Sequence, residues 1–405
     1  MSGVSIDHLV SIVVLVAAVL LFIALFNQTL LVAVNYQRNT STAGECGNLL
    51  DSMLLTPGIS TSGAPIEFGL QDPSLTQYQL NTFALMRLDP SSGATISYQK
   101  TGLTYSEIST SPSNYLLHPT SDEINYSTAL LLLGINDTYG FQLSLTPTIS
   151  ISITQTSTNN SPLSLALSVT GTGFPFAYAE VNYLLIPVST GATYADFETI
   201  ANQAGSVQTT STGSASVTFS DFSPNPNLTY AFVAYAYLDG ITGVGYYVPS
   251  SVGTQSVVPF FDPLSTQNAI LAHSRDVPNT NSTAYTLYYN TTFILESQNY
   301  AIQETLLGSS NPSGSVTSGT GNSPAPITMS SNTQGILVIA YSNSGNSGVV
   351  MMPWGFSALG FPMTFGGTPI NQGWVATDLR QVQINGISYQ AKLSLWSQQS
   401  YSESG

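Results

Sequence analysis

Residues 9–26 read LVSIVVLVAAVLLFIALF, an eighteen-residue run in which Ser11 is the one polar side chain. In a helix each residue rises 1.5 Å, and ~20 apolar residues cross the hydrocarbon core of a bilayer. The run therefore predicts a helix buried in membrane lipid. No Lys or Arg precedes it, and it is longer than the ~7–15 residue apolar region of a cleavable secretory signal. A retained anchor is the expectation.

The helical pattern continues outward from this run. After Asn27-Gln28-Thr29 come Leu30-Leu31-Val32-Ala33-Val34, and then Ala43, Cys46, Leu49, Leu50, Met53 and Leu54 recur at three- and four-residue spacing. That spacing places one apolar stripe on an amphipathic helix. No proline occurs before Pro57, and Pro57-Gly58 ends the pattern. Gly44 and Gly47 are the weak points. One helix over residues 5–55 would reach about 75 Å, its first half in lipid and its second half with one face against a folded domain.

The remainder has an unusual composition. Only 7% of the 405 residues are charged, against a usual ~25%. Six basic residues face 21 acidic ones, for a net charge of −15. Such a chain has no basic stripe to lay along phosphates, which excludes nucleic-acid binding. Hydrophobic content of 42% supports folding rather than disorder. Solubility must come from hydroxyls, amides and glycans, a composition that suits extracellular surface proteins, prokaryotic ones in particular. The single cysteine, Cys46, allows no intrachain disulfide. It reads as a small apolar helix residue, with intermolecular pairing as the alternative. Asn-x-Ser/Thr tripeptides occur at Asn27, Asn39, Asn125, Asn136, Asn159, Asn227, Asn281 and Asn290. The last seven are candidate N-glycosylation sites of an exported chain.

Orientation follows from the exported character of the chain after the anchor. Arg38 on the far side and only His8 and the α-amino group on the near side would, by charge alone, favour the N-terminus outside. The exported composition overrules it: N-terminus inside, C-terminal domains extracellular, or the whole chain in an extracellular filament.

The predicted fold is mainly β with one long N-terminal helix: a stem (residues 1–56), a small α+β head packed on it (57–145), an immunoglobulin-like sandwich (146–250), a second sandwich-like domain (251–396) and a loose tail (397–405). In the head, strands are expected at 83–88, 94–99 and 138–145. A short helix is expected near 125–134, capped at Ser121-Asp122-Glu123. In the next unit, 148–154, 163–170, 179–187, 215–219, 229–238 and 243–248 read as six strands, with Asp239-Gly240 as a turn. Both faces of residues 230–238 are apolar, so both should be covered. Phe222-Ser223-Pro224 followed by Thr229-Tyr230 resembles the tyrosine corner of fibronectin type III domains, with spacing two residues longer. That resemblance implies a buried Tyr230 hydroxyl bonded to upstream backbone. In the third unit, 284–295 and 335–341 read as strands, 308–335 as a loop, and Asn385-Gly386 as a type I′ hairpin turn. Ile387, Tyr389, Ala391, Leu393 and Leu395 alternate on one face of its return strand.

An apolar half-helix, an amphipathic half-helix and a β-rich head together resemble a type IV pilin. Met1–His8 resembles a short prepilin leader, and the resemblance places the cleavage between Gly3 and Val4. Pilins carry an acid at the fifth mature position; here Asp7 would be fourth and His8 fifth, and no Lys or Arg precedes the cut. SIDHLVSIVVLV and FGLQDPSLTQYQL are also similar to archaeal membrane-anchored proteins. Asp7 reads as an interfacial polar residue or, by the resemblance, as the partner of a neighbouring subunit's N-terminal amine. The implied partners are membrane lipid through residues 9–26, further copies or other pilin-like subunits, and surface glycans.

The search for chemistry is short. His8, His118 and His273 are isolated, no Cys-x-x-Cys or His-x-x-x-His pair occurs, and there is no nucleophile elbow or P-loop. Ser97-Tyr98-Gln99-Lys100 matches Ser-x-x-Lys but falls in a predicted strand rather than at a helix start. Asp196/Glu198 and Asp122/Glu123 read as solvated acids, because no Asp-x-Asp-x-Asp-Gly loop accompanies them. The 22 tyrosines read as packing residues or as a contact surface. No catalytic residue, metal or cofactor is expected. The reading is a non-enzymatic surface protein of structural or adhesive type, pilin-like; the alternative is a membrane-anchored binding protein for glycan or peptide that does not polymerise.

Overall fold

Helix α1 (Gly3–Leu55) runs unbroken for 53 residues, about 80 Å at 1.5 Å per residue. The structure is a computed structural model that describes residues 3–61, 64–72, 77–81, 84–85, 87–88, 96–98, 103–110, 114–119, 123–190, 195–197, 204–249, 258–262, 265–272, 281–289, 301–307, 325–328, 334–343, 346–353, 362–369, 374–384 and 386–398. The helix passes through Gly44 and Gly47 and ends two residues before Pro57. Thr29 and Thr40 return their hydroxyls to Leu25 O and Tyr36 O at 2.8 and 2.9 Å, which satisfies them within the helix.

Beyond the helix the fold is β. The first stretch supplies β1 (Pro57–Thr61), β2 (Ala64–Leu70), β3 (Gln79–Leu80), β4 (Ile96–Tyr98), β5 (Leu103–Thr110), β6 (Asn114–Pro119), the short helix α2 (Tyr126–Leu132) and β7 (Tyr139–Pro147). Then come β8 (Ile149–Gln155), β9 (Leu163–Gly171), β10 (Phe174–Pro175), β11 (Glu180–Thr190), β12 (Ala195–Phe197), β13 (Ala204–Gln208), β14 (Ser214–Phe219), β15 (Leu228–Leu238) and β16 (Ile241–Tyr247). The last stretch holds β17 (Val258–Asp262), β18 (Ser265–Ala272), β19 (Asn281–Tyr289), β20 (Ala301–Leu307), β21 (Ala325–Thr328), β22 (Gln334–Asn343) and β23 (Asn346–Pro353). It closes with β24 (Met363–Gly366), β25 (Val375–Ile384) and β26 (Ile387–Ser397).

Strands β8 to β16 form a sandwich-like unit. Strand β9 pairs antiparallel with β8 and β14, and β15 pairs antiparallel with β11 and β16. The two groups join where β16 runs parallel to β8, with Val244 opposite Ser150. The result is one curled nine-stranded sheet closed around its own core, its first strand paired with its last. Glycine permits that pairing: a Cβ on Gly243 would lie 2.6 Å from Ile149 O, and one on Gly245 2.6 Å from Ile151 O. Leu163, Leu165, Leu167, Val181, Leu185, Phe219 and Phe232 fill the interior. Asp239 and Gly240 take φ of +50° and +84°, the type I′ turn their sequence encodes. Along β15 the seven residues Tyr230–Ala236 are all buried. Phe232, Ala234 and Ala236 face the sandwich interior, while Ala231, Val233 and Tyr235 belong to the core that continues into the head. Both faces are covered, as the apolar pattern indicated.

The head departs from the expected boundaries. Its sheet has the order β24-β7-β26-β25-β3, so the C-terminal hairpin sits between strands from residues 79–80 and 139–147. Ten consecutive pairs join β25 to β26, and nine join β26 to β7. The 251–396 segment is therefore not one unit. Its strands go to three sheets: β17, β18 and β21 extend β4–β6, β19, β20, β22 and β23 form their own sheet, and β24–β26 complete the head. The physical reason lies in the fully apolar face of β26. Tyr389, Ala391, Leu393 and Leu395 are at 0% exposure and pack with Leu50, Phe141 and Leu143 in one core. The head thus closes the first and last parts of the chain on each other.

Two local expectations are also corrected. The described residues of the expected 83–88 strand (84–85 and 87–88) are not in a strand: Ala84 and Leu85 begin a helical turn, with Ala84 N donating to Asn81 Oδ1 at 3.1 Å and Leu85 N to Asn81 O at 3.1 Å. Asn81 acts as a cap, and Leu85 and Leu88 are buried at helical rather than alternating spacing. Helix α2 is capped by Asn125, not by residues 121–123, with Oδ1 accepting from Thr128 N at 2.9 Å. Residues 325–328 form β21 inside the expected 308–335 loop. The rest of that loop up to residue 333, residues 290–295 of the expected 284–295 strand, and 399–405 lie outside the described residues.

Candidate functional site

The feature on which function turns is the division of α1 into a bare half and a seated half. Between Leu9 and Val34, eighteen large apolar side chains are exposed on every side of the helix. Leu21 and Phe22 are 63% and 68% exposed, and Leu31 and Val32, beyond the polar break at Asn27-Gln28, are 64% and 65%. Among the described residues this one helix is long and apolar enough, by length and composition, to cross a membrane. Fully burying each Leu, Val, Ile or Phe side chain is worth roughly 1.5–3 kcal/mol, so a bare surface of this extent is that of a membrane-anchor or signal helix.

From Thr42 onward the helix has a buried face. Cys46, Leu50, Met53 and Leu54 are at most 1% exposed and lie in the head core. The Cys46 thiol points at the carbonyls of Ala376 and Leu393, 3.7 and 3.6 Å away. Burial, helped by the charge of Asp378, pushes that thiol up to about 11. A buried, neutral thiol is a packing residue, not a reactive one. Gly47 allows the close approach: a Cβ there would lie 3.1 Å from Asp378 Oδ2.

An ion-paired cluster closes the seat. Arg380 donates through Nε to Asp51 Oδ1 at 2.8 Å and through Nη2 to Asp51 Oδ2 at 3.1 Å, a bidentate pair. Its Nη1 donates to Asp378 Oδ1 at 2.8 Å and to Leu379 O at 2.9 Å. Tyr78 OH donates to Asp51 Oδ1 at 3.3 Å. The same side chains also block part of the sheet edge, because Leu379 N donates to Asp378 Oδ1 at 2.8 Å. Protected edge amides and carbonyls resist strand addition. Sequence reasoning passed over this cluster. Its signal was present: Asp378 and Arg380 alternate onto one face of a strand, and Asp51 follows the buried helix stripe.

The named sequence positions fall as follows. Gly3, Val4 and Asp7 are within the first turns of α1, their side chains outside the description, and His8 is exposed. Asn39 is half-buried on α1, while Asn125, Asn136, Asn159 and Asn227 are exposed. Asn281 opens β19, its side chain undescribed, and Asn290 lies outside the described residues. Tyr230 is fully buried, and burial pushes its hydroxyl well above the usual tyrosine range. Its bond is not to upstream backbone: the hydroxyl donates to Gln155 Oε1 at 2.7 Å. The two extra residues of spacing go into a turn closed by the Asn225–Leu228 bridge, and the partner lies across on β8. Tyr235, Tyr237 and Tyr246 pack in or against the core. Ser97 lies in β4, and Asp196 in β12. Among the described residues no three His, Cys, Asp or Glu side chains gather in a metal-holding arrangement.

No family model and no curated protein matches the chain. Among solved structures it is similar to the native conformation of Escherichia coli alpha-2-macroglobulin, at 10% identity and a TM-score of 0.20, over 69% of this chain and 19% of that one. It is similar at the same identity and TM-score to the E. coli alpha-2-macroglobulin activated by porcine elastase, over 69% of this chain and 26% of that one. The chain thus spans about a fifth to a quarter of those structures, and a likeness of this degree carries no argument about activity.

Proposed function

We propose that this chain is a non-enzymatic cell-surface protein of structural or adhesive type, a pilin-like subunit that assembles through α1 and displays its β domains outward. The carrying observation is the bare neck of the stem. Residues 9–26 rise about 27 Å, close to the ~30 Å hydrocarbon core of a bilayer. Fifteen residues lie between Phe26 and the first buried side chain at Thr42, a rise of about 24 Å. Within that neck Leu30, Leu31, Val32, Val34 and Tyr36 are exposed. Lipid covers residues 9–26 of a lone anchor and leaves the neck in water. A bundle of stems covers both. The N-terminus is inside and the β domains are outside before assembly.

The test is intact-mass and N-terminal mass spectrometry of the chain from its native membrane, with electron microscopy of the same material. A chain beginning at Val4 together with ordered polymers supports the pilin-like reading. A chain beginning at Met1 or Ser2 in monodisperse particles overturns it in favour of a non-polymerising anchored binding protein.

A further inference from the structure

We infer that Asn159 and Asn227 are N-glycosylated and that they place a pair of oligosaccharides on the end of the sandwich remote from the head. The fold sorts the tripeptides. Asn27 sits in the bare apolar half of α1, and Asn39 is half-buried in the same helix. Asn125 is held as the cap of α2: its Oδ1 accepts from Thr128 N at 2.9 Å and from Ser127 Oγ, the hydroxyl of its own tripeptide, at 2.7 Å. The Asn136 amide donates to Asp137 Oδ2 at 3.3 Å, which engages the nitrogen that would carry a sugar. Asn159 and Asn227 differ from all of these. Both are exposed in turns, and among the described residues neither side-chain amide has a hydrogen bond.

The two positions are neighbours in the fold. Asn160 N donates to Pro224 O at 2.8 Å and Leu163 N to Phe222 O at 2.8 Å, which ties the turn after β8 to the turn before β15. The opposite end of β8 is the one bound to the head, where Thr148 N donates to Ser388 O at 2.9 Å. Seven residues of β8 put about 23 Å between the ends. Glycans here leave the stem and the head free, and they solvate a surface that only 7% charged residues must otherwise keep in solution. In the transfer, the anomeric carbon of a lipid-phosphate-linked oligosaccharide leaves its phosphate oxygen and bonds to Asn Nδ2. The nitrogen gives up one proton, and the lipid phosphate departs.

This inference rests on the export of the β domains, so its test separates the two. Full-length chain from the native membrane is mapped by glycopeptide mass spectrometry beside N159Q, N227Q, N39Q and N125Q. Intact mass is expected to fall by one glycan in N159Q and in N227Q and to keep its glycan mass in N39Q and N125Q. Bare Asn159 and Asn227, or glycan at Asn39 or Asn125, overturns the assignment. External protease on intact cells reads export independently. Cleavage of β domains that carry no glycan removes this inference and leaves export standing, whereas protected, unmodified domains remove both.

Discussion

At Tyr230 the ring is packed edge-on against Phe222 at 5.7 Å and stacked on Tyr247 at 6.0 Å, while the hydroxyl reaches Gln155. Tyr230→Phe keeps the packing and removes one hydrogen bond, worth about 1 kcal/mol net. The sandwich should lose roughly 4–8 °C in thermal midpoint, read by circular dichroism, and an unchanged midpoint would show the bond to be energetically idle. Cys46 supplies a pH signature. Its thiol is raised from 9.0 to about 11, so the folded chain holds that proton longer than the unfolded one. The stabilisation is full below pH 9 and is lost as pH rises through about 11, with a slope of up to ~1.4 kcal/mol per pH unit. Urea unfolding of Cys46→Ala should therefore show a flatter decline between pH 9 and 11 than the parent chain. Equal slopes would place the alkaline loss in the buried tyrosines instead.

Between α1 and β25 the bidentate Asp51–Arg380 pair is partly exposed, at 37% and 28%. Pairs of this exposure contribute about 0.2–1 kcal/mol. A double-mutant cycle with Asp51→Asn and Arg380→Met should give a coupling of roughly 0.5–1 kcal/mol. The arginine change should cost more by itself, because it also strips Asp378 and Leu379 O of a donor. Additive effects within error would mean that apolar packing alone seats the helix. Elements of this kind mark the limit of what the sequence discloses. Alternation placed β8 and β9 to within a few residues, apolar runs between turn signals placed β11 and β15, and the Asn-Gly and Asp-Gly turns named their hairpins, because those signals are local. The partner of β26 is β7, more than two hundred residues away, and nothing in either strand's pattern names the other. Asn81 and Asn125 were readable as caps, yet the apolar run from Phe83 and the acids at 122–123 outweighed them in a reading based on composition.

Closure of the head by both parts of the chain makes the C-terminal hairpin a structural requirement for the stem. In the order β24-β7-β26-β25-β3, removal of β25 and β26 leaves β3 with no strand beside it and opens one side of β7. It also uncovers Cys46, Leu50, Met53 and Leu54 on the helix. A chain ending at Pro369 is thus expected to lose the head while the sandwich survives, because Leu163, Leu165, Phe219 and Phe232 form a core that includes no residue of β25 or β26. Limited proteolysis with chymotrypsin in detergent reads the two separately. Cleavage should appear between residues 43 and 57, where the full chain resists it, while residues 163–236 stay protected as an internal control. The sandwich does lose the Ser388 contacts to Thr148 and Thr242. These lie at one end of it, so the expected consequence is earlier cutting near the Asp239-Gly240 turn rather than general unfolding. If the 43–57 segment remained resistant in the shortened chain, β1, β2 and α2 would be sufficient to seat the helix, and the head would not depend on its closing strands. The shared core argues the reverse: the buried stripe of α1 is completed by β25 and β26, so a truncated chain presents a bare stem on both halves and is open to proteolysis.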